Sequence, residues 1–264
     1  MAAASPLAFG AKKIPVGLEL YSVRNELKAD LTGTVRAVAK IGYEVVEFFS
    51  PYYAWSTEQT KDMRKLLDDL GIKCLSTHND AKNFSVENLS KTADLNRILG
   101  ARYVVMASSG GAKTASDWAK VAETLDHAAD TWKSVGLRPG YHNHQLEFTP
   151  LEDKQRPMDI LAKNTHKDVI LQFDVGTCVE AKSDPVAWIN QNPGRIRSMH
   201  CKDWAPGPGY KVLFGEGDVP WKPIFKAAEK TGGIEYYLIE QEGYTLPALE
   251  TAEKCLANFR KLHG

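Results

Sequence analysis

The segment Ile14–Asp30, IPVGLELYSVRNELKAD, decides between the two folds that alternating strands and helices allow. Its first part, Ile14–Val23, is rich in β-branched and large apolar residues, which predicts a strand. A doubly wound open sheet usually carries a glycine-rich phosphate-binding turn directly after its first strand. The turn here, Tyr21–Asp30, contains no glycine. The segment therefore favours a (β/α)8 barrel over the open sheet.

The rest of the chain repeats one unit, a short β-rich run followed by an amphipathic helix. Ser56 and Gln59 have the spacing of a capping box, and glycines follow several of the predicted helices. The strand-like runs are 14–23, 43–49, 72–78, 102–108, 137–144, 169–176, 196–204 and 235–242, and the helices are 31–42, 56–70, 85–99, 116–135, 158–164, 185–190, 221–232 and 246–262. Eight such pairs without a break in composition predict a single TIM barrel domain at residues 14–264.

The composition limits the kind of partner that this chain binds. Hydrophobic residues make up 43% and charged residues 25% of the chain, and Lys plus Arg equal Asp plus Glu at 33 each. A chain with no net charge is a poor ligand for duplex DNA, and no apolar run approaches the roughly 18 residues of a membrane span. We therefore expect a small-molecule partner, with no nucleic acid and no membrane, and leave homo-oligomerisation open.

The four cysteines do not have the spacing of a thiolate metal site. They are Cys74, Cys178, Cys201 and Cys255, and none forms a C-x-x-C pair. Cys74 and Cys201 lie in apolar runs, which predicts that they are buried as small hydrophobic side chains. A disulfide among the four stays open.

The first thirteen residues, MAAASPLAFGAKK, precede the predicted barrel. They are rich in small residues and end in lysines, but they lack the basic start of a full signal peptide. We expect a flexible tail, with the remnant of a trimmed export signal as the alternative. The localisation is accordingly unknown: cytoplasmic, or periplasmic if the remnant is the correct interpretation.

Four chemically active side chains end consecutive predicted strands. Strands five to eight end in His142, Asp174, His200 and Glu240. In a barrel, functional residues gather at the C-terminal ends of the strands, so these four are expected to converge. Two imidazoles and two carboxylates suit a divalent cation such as Mn²⁺, Zn²⁺, Co²⁺, Fe²⁺ or Mg²⁺. A lone histidine at a strand end is more often a structural residue, so the metal prediction rests on the order of all four.

Residues two apart on a strand share a face, which extends the predicted site beyond the metal ligands. His144 follows His142 and is predicted to bind substrate or relay a proton. Lys202 follows His200 and is predicted to hold a developing enolate by its charge, with an ion pair to Asp203 as the alternative. The predicted catalytic residues are Glu240, Glu242, His144 and Lys202, and the predicted substrate-binding residues are Tyr21, Glu47, His78, Asn143, Trp204 and Glu216.

The loops after the strands contain two further features. Pro206–Asp218 is rich in glycine, which suits a mobile lid over the mouth of a barrel. Tyr52, Trp55 and Trp204 also lie in such loops. These aromatic side chains either stack on a sugar ring or pack in the core.

Six segments carry a resemblance to a known family. They are GLELYSVR (17–24), HNHQLEF (142–148), FDVGT (173–177), MHCKDW (199–204), GEGD (215–218) and LIEQE (238–242). Together they resemble the sugar phosphate isomerase/epimerase family of the xylose isomerase-like barrel superfamily, which also contains endonuclease IV-type enzymes. The resemblance covers nearly the whole chain in order. It implies a divalent metal at the barrel mouth and a sugar substrate.

The match to the ketose 3-epimerase branch is incomplete. That branch places Glu, Asp, His and Glu on strands five to eight, and here His142 replaces the first glutamate. Thr177 stands where those enzymes have a substrate-binding histidine, and Glu47 matches their second acid–base carboxylate only loosely. A related branch cleaves 3-oxo-glycosides by metal-assisted elimination, and the resemblance admits that chemistry as well.

The sequence therefore predicts a divalent-metal-dependent sugar isomerase or epimerase that acts through an enediolate. The alternative is a metal-dependent lyase or hydrolase that acts on 3-oxo-glycosides by β-elimination. Two less favoured alternatives are an endonuclease IV-type nuclease, which would need more histidines at the mouth, and a sugar-binding module without catalytic activity, which would need no metal.

Overall fold

Eight parallel strands, hydrogen-bonded in chain order, close into a barrel in the computed structural model, which describes residues 13–264. The fold predicted from the sequence is confirmed. The strands are β1 Val16–Glu19, β2 Val45–Phe48, β3 Lys73–Asp80, β4 Tyr103–Ser108, β5 Arg138–His142, β6 Ile170–Asp174, β7 Ser198–Cys201 and β8 Tyr236–Ile239. The predicted tail, residues 1–13, lies outside the described residues except for Lys13.

Helices cover the outside of the barrel and also begin directly after several strands. They are α1 Arg24–Ala29, α2 Leu31–Ile41, α3 Thr57–Leu70, α4 Leu89–Leu99, α5 Ala115–Trp132, α6 Gln145–Phe148, α7 Pro157–Asn164, α8 Val175–Glu180, α9 Pro185–Gln191, α10 Trp221–Ala227 and α11 Ala248–His263. The predicted long helices correspond to members of this set. The short helices α1, α6 and α8 were not predicted, and each lies beside the C-terminal end of a strand.

The capping chemistry predicted for α3 is present. Ser56 Oγ accepts a hydrogen bond from Gln59 N, and Gln59 Oε1 accepts one from Ser56 N at 2.8 Å. The helix ends at Gly71, whose φ of 68° is one that side chains with a Cβ rarely adopt. This agreement fixes the position of the helix between β2 and β3.

The first strand is shorter than predicted. Pairing ends at Glu19, and Leu20–Val23 forms a 3-10 helix that leads into α1. The Glu19 carboxylate accepts a hydrogen bond from Tyr21 N at 2.5 Å and so caps this 3-10 helix. The apolar residues of this turn, Leu20 and Val23, are buried among the helices.

Side-chain alternation divides the core into two layers. The lower interior of the barrel is filled by one apolar cluster, Val45, Tyr103, Val105, Ile170, Tyr236 and Leu238. The residues between them face outward and pack with the helices in a much larger cluster. All four cysteines are buried and free, so no disulfide forms among them. Above the interior cluster, the same inward positions become polar, and this level of the barrel forms the candidate site.

Candidate metal centre

The inward positions change from apolar to polar on the same strands. On β6, Ile170 is followed inward by Gln172 and then by Asp174. On β7, His200 pairs in register with Asp174, and Lys202 follows two residues later. Period-two alternation therefore carries the polar residues to one level at the C-terminal end of the barrel, as expected for this fold.

The four predicted metal ligands converge. His142, Asp174, His200 and Glu240 each offer one nitrogen or oxygen atom, and these atoms all lie within 4.8 Å of one another. Their side chains are almost completely buried. Four buried donors from four strands form the kind of compact set that binds a divalent cation.

Each imidazole of this set has one nitrogen turned toward the carboxylates and the other held by a neighbour. His200 Nδ1 lies 2.7 Å from Glu240 Oε2, while its Nε2–H donates to Glu47 Oε1 at 2.8 Å. His142 Nε2 lies 3.9 Å from Asp174 Oδ2, while its Nδ1–H donates to Gln172 Oε1 at 3.1 Å. Ligating histidines usually donate their second N–H in this way, because the bond fixes the tautomer and the ring orientation.

Glu47 is completely engaged by its neighbours. Its Oε1 accepts from His200 and lies 3.1 Å from His78 Nε2. Its Oε2 accepts from Gln172 Nε2 at 2.9 Å and from the hydroxyl of Ser76. Burial alone would raise the pKa of Glu47, but His78 and His200 lower it below its usual value, so the group is a carboxylate. Glu47 therefore holds imidazoles rather than facing the mouth.

Lys202 pairs with carboxylates of the site and not with Asp203, which was the alternative from the sequence. Its Nζ lies 2.7 Å from Asp174 Oδ2, 2.9 Å from Glu242 Oε1 and 3.3 Å from Glu240 Oε2. Burial lowers the pKa of an ammonium, but these three carboxylates raise that of Lys202 well above its usual value. The lysine is charged and balances part of the negative charge at the mouth.

The protonation states of His142 and Glu240 suit metal binding, and that of His200 does not. Burial lowers the pKa of His142 well below its usual value, and the neighbouring histidines add to the effect, so this ring is neutral. Burial opposes ionisation of Glu240, but Lys202 and His200 hold its pKa well below its usual value. Hydrogen bonds to Glu240 and Glu47 outweigh burial at His200 and raise its pKa to about 10. In this structure His200 is therefore an imidazolium that donates one N–H to each of the two carboxylates, and a metal would replace the proton on Nδ1.

The charge balance also fits a cation. Five acidic residues meet at this level of the barrel, Glu19, Glu47, Asp174, Glu240 and Glu242, and Lys202 is the lysine among them. Buried carboxylates repel one another unless a cation compensates them. The pKa of Glu19 is raised well above its usual value by burial and by the charges of Glu240 and Glu47. The donor set and this excess of carboxylates both fit a divalent ion.

His78 and Glu19 extend the cluster toward β1 and β3. His78 Nε2 lies 2.6 Å from Gln172 Oε1, and the His78 ring stacks on His200 with centroids 5.0 Å apart. Its Nδ1 lies 4.0 Å from Glu19 Oε1, which has no hydrogen-bond partner among residues 13–264. His78 thus lies beside the predicted ligands, although with only 8% of its surface exposed.

The other predicted site residues fall into two groups. His144 is exposed, and its ring contacts that of His142 with centroids 4.9 Å apart. Glu242 is one-third exposed beside Lys202. Tyr21 is 39% exposed and stacks edge-on against Phe49 at the rim.

Three predicted substrate contacts have other partners. Asn143 is buried, and its amide donates to Asp174 O at 3.0 Å and to Thr177 Oγ1 at 2.9 Å, so it joins β5 to α8. Glu216 is exposed and accepts from Asn258 Nδ2 of α11 at 3.4 Å. Trp204 is half-buried against the outer core. The structure does not place these three among the inward-facing polar residues.

The loop 206–218 is attached at several points. Asp203 accepts hydrogen bonds from Gly215 N at 2.7 Å and from Trp221 Nε1 at 2.8 Å. Gln241 Nε2 donates to the carbonyl oxygens of Tyr210 and Gly243. The Tyr210 ring lies 5.1 Å from Lys202 Nζ. The loop therefore covers Lys202, and these bonds restrain the movement expected of a lid.

Gln172 is the main residue that sequence reasoning missed. Its amide joins His142, His78, Glu47 and Ser198 Oγ, the last at 3.1 Å. The available signal was its position two residues before Asp174 on a strand otherwise apolar, because a buried glutamine needs hydrogen-bond partners.

Tyr52 and Trp55, predicted to stack on sugar or pack in the core, pack edge-on with each other, and Tyr52 is buried.

Curated relatives include inosose dehydratases. The enzyme of Lacticaseibacillus casei is 23% identical over 184 residues, which span 58% of this chain and 61% of that enzyme. The enzyme of Geobacillus thermodenitrificans is 21% identical over 278 residues, 89% of this chain and 91% of that enzyme. The chain thus spans less than two-thirds of the first relative and most of the second.

Solved structures with the same fold cover nearly the whole chain. A sugar phosphate isomerase/epimerase from Parabacteroides distasonis is 27% identical, with a TM-score of 0.80 over 98% of both chains. The zinc-bound IolI protein, at 17% identity, superposes with a TM-score of 0.73 over 94% of this chain and 98% of that one. D-psicose 3-epimerase from Clostridium cellulolyticum, at 16% identity, superposes with a TM-score of 0.71 over 94% of this chain and 99% of that one. The last two likenesses show the fold alone.

A family profile covers most of the described barrel. The profile of the xylose isomerase-like TIM barrel matches residues 35–262. In the described residues, no helix combines the length and apolar character needed to cross a membrane. With the closed eight-stranded barrel and this match over more than half of its length, the chain belongs to the xylose isomerase-like TIM barrel family.

Proposed function

We propose that this protein is a divalent-metal-dependent enzyme that removes the proton next to a carbonyl group of a sugar or cyclic polyol, and that the reaction ends in loss of a β-substituent. His142, Asp174, His200 and Glu240 would hold the metal. When bound, the cation polarises the substrate carbonyl and so acidifies the neighbouring C–H group. The inosose dehydratase relatives support this class of reaction, since a dehydratase eliminates water.

The contacts and burial of Glu47 favour elimination over epimerisation. Epimerisation by deprotonation and reprotonation needs acid–base groups on two faces of the substrate, and Glu47 is the candidate for the second carboxylate. Both of its oxygens are engaged, each by two partners, and the residue is completely buried. A carboxylate in these contacts holds histidines and is not free to return a proton to a carbon atom.

Elimination requires one base and one acid, and the mouth provides both. Glu242 is one-third exposed beside Lys202 and would accept the proton from carbon. The electron pair of that C–H bond then forms a C=C bond as the β C–O bond breaks. His144, exposed beside His142, would give a proton to the departing oxygen, which leaves as water or an alcohol. Lys202 would stabilise the negative charge that develops on the substrate.

Isomerisation or epimerisation through the same enediolate is the second candidate, and it was the first prediction from the sequence. It is favoured by the solved sugar phosphate isomerase/epimerase from P. distasonis. In that case His144 and Glu242 would exchange a proton with the substrate carbon instead of separating a leaving group.

Product analysis in D₂O tests the proposal. The metal-loaded protein is incubated with a cyclic keto-polyol (inosose) and with a keto-glycoside, and the products are identified by NMR and mass spectrometry. Elimination gives an unsaturated ketone and releases water or an alcohol. An isomer of unchanged composition that carries deuterium on carbon would establish the second candidate instead. Asp174→Asn is the control, and it should abolish either reaction.

A further inference from the structure

A cavity of about 540 Å³ lies next to the candidate site on the side of β4 and β5. His144 forms part of its wall, and the His144 ring also contacts that of His142, with ring centroids 4.9 Å apart. The four proposed metal ligands are at most 5% exposed. The cavity is therefore the space from which a group on the substrate can reach His144.

The wall of the cavity is fixed in position. Glu147 Oε2 accepts from His144 N at 2.8 Å, and Glu147 Oε1 accepts from Tyr141 OH at 2.9 Å. These bonds cap α6 and join it to β5. A preformed wall binds a ligand without first paying to order a loop.

The chemistry of the wall is that of a site for a ring. Leu146, on α6, lines the cavity and is 72% exposed, so its side chain can contact a ligand there. Trp118 also lines the cavity, and its buried Nε1–H has no hydrogen-bond partner among the described residues. Ser108 and Ser109 add hydroxyl groups to the lining. A buried donor without a partner is costly unless a ligand or water satisfies it.

We propose that this cavity is the subsite for the departing group, and that this group is an alcohol that carries a ring with one apolar face. The apolar face would contact Leu146, and an oxygen on the ring would accept the Trp118 N–H. The departing oxygen would lie next to His144, which supplies its proton. This inference rests on the proposed elimination and adds to it that the substrate is larger than a single ring.

Binding of two unreactive glycosides tests the subsite without any turnover. Methyl β-D-glucopyranoside and phenyl β-D-glucopyranoside differ only in the ring that the cavity would take. Calorimetry on the metal-loaded protein should give about tenfold tighter binding of the phenyl glycoside, the gain expected from burying part of an aromatic ring. Leu146→Ala should reduce this preference and leave the methyl glycoside unaffected. Val86→Ala, which alters a side chain that is 74% exposed elsewhere, is the matched control and should keep it.

The outcomes separate the subsite from the proposed function. Equal affinity for the two glycosides, absence of binding of either at millimolar concentration, or a preference that survives Leu146→Ala would overturn the subsite. A ring preference that Leu146→Ala abolishes, in a protein that eliminates nothing from a keto-sugar, supports the subsite and refutes the proposed function. Elimination with equal kcat/KM for methyl and phenyl keto-glycosides supports the proposed function and refutes the subsite.

Discussion

His142 and His144 illustrate how two residues of one strand acquire different roles. Two positions along a strand differ by about 6.6 Å in height. The lower residue, His142, is buried beside Gln172 and Asp174, whereas His144 begins α6 and is exposed. Burial makes a neutral imidazole ligand available at the lower level, and exposure leaves the upper one free to exchange protons with a substrate.

This difference predicts an asymmetric response to mutation. His142→Ala removes a buried donor from the proposed metal set, so the protein should lose both metal and activity. His144→Ala should keep metal affinity within about a factor of three, because its ring is not among the converging donors, and should lose turnover. Metal content by plasma mass spectrometry and titration calorimetry measure the first effect. The reverse pattern would mean that the two roles have been exchanged.

Gln172 gives a second prediction at this scale. Gln172→Leu keeps the approximate size of the side chain but removes the acceptor of His142 Nδ1–H and a donor to Glu47. Removing such an orienting partner typically lowers metal affinity by about 10–100-fold, and we expect a loss in that range. Gln191→Leu, at an exposed position of α9, is the matched control. Unchanged affinity in Gln172→Leu would show that the histidines orient themselves without it.

At the scale of elements, the sequence was most informative where periodicity is long. The eight strands and the long helices follow from apolar patterning and capping residues such as Ser56. The short helices α1, α6 and α8 span at most six residues, too few for a periodic pattern. Asp174 caps α8 by accepting from Thr177 N at 3.0 Å. Such a contact becomes visible only when the strand end and the helix are placed together.

The same limit applies to the site. His142, Asp174, His200 and Glu240 were predicted because the order of strands in a barrel follows the order of the chain. Strand order could not predict the hydrogen bonds of Gln172 and Glu47, because these bonds cross the barrel between strands far apart in sequence. Strand order gives neighbours around the ring, whereas the packing of the interior decides which groups meet across it.

The close approach of α8 to β7 makes Gly176 a sensitive position. A Cβ atom there would lie 2.5 Å from Lys202 O, a backbone atom that cannot move aside cheaply. Gly176→Ala should displace α8 and with it Asp174, costing about 1–3 kcal/mol of stability and lowering metal affinity. Urea unfolding and metal titration measure the two effects.

Gly194→Ala separates crowding from backbone strain. Its φ of 72° also disfavours alanine, but no atom of residues 13–264 lies within 4 Å of the added Cβ. This variant should lose stability and keep its metal affinity. If Gly176→Ala is as stable as the wild type, α8 has room to move and the position does not constrain the site.

At the scale of the whole molecule, the barrel stacks two interiors with opposite chemistry. The lower level is an apolar cluster, and the level above it concentrates carboxylates and imidazoles out of contact with water. Burying several carboxylates at one level opposes folding, because each carboxylate is desolvated and repelled by the others. Lys202 and the proton on His200 offset part of this cost in the structure described here. A divalent cation would offset more of it, so metal binding and the stability of the entire barrel should be linked.

That linkage gives the last prediction. A ligand that binds the folded protein alone stabilises it by about 2.7 kcal/mol at a free concentration 100 times its Kd, which raises the Tm of a chain of this size by about 5 °C. Scanning calorimetry of metal-free protein titrated with Mn²⁺ or Zn²⁺ should show this rise in the wild type. His166→Ala, which alters a side chain that is 56% exposed, should keep the rise. Asp174→Asn should abolish it, because a neutral amide is a weaker ligand than a carboxylate and removes part of the charge that the cation compensates. If Asp174→Asn shows the full rise, the stabilising metal binds elsewhere on the protein, and the mouth of the barrel is not the metal site.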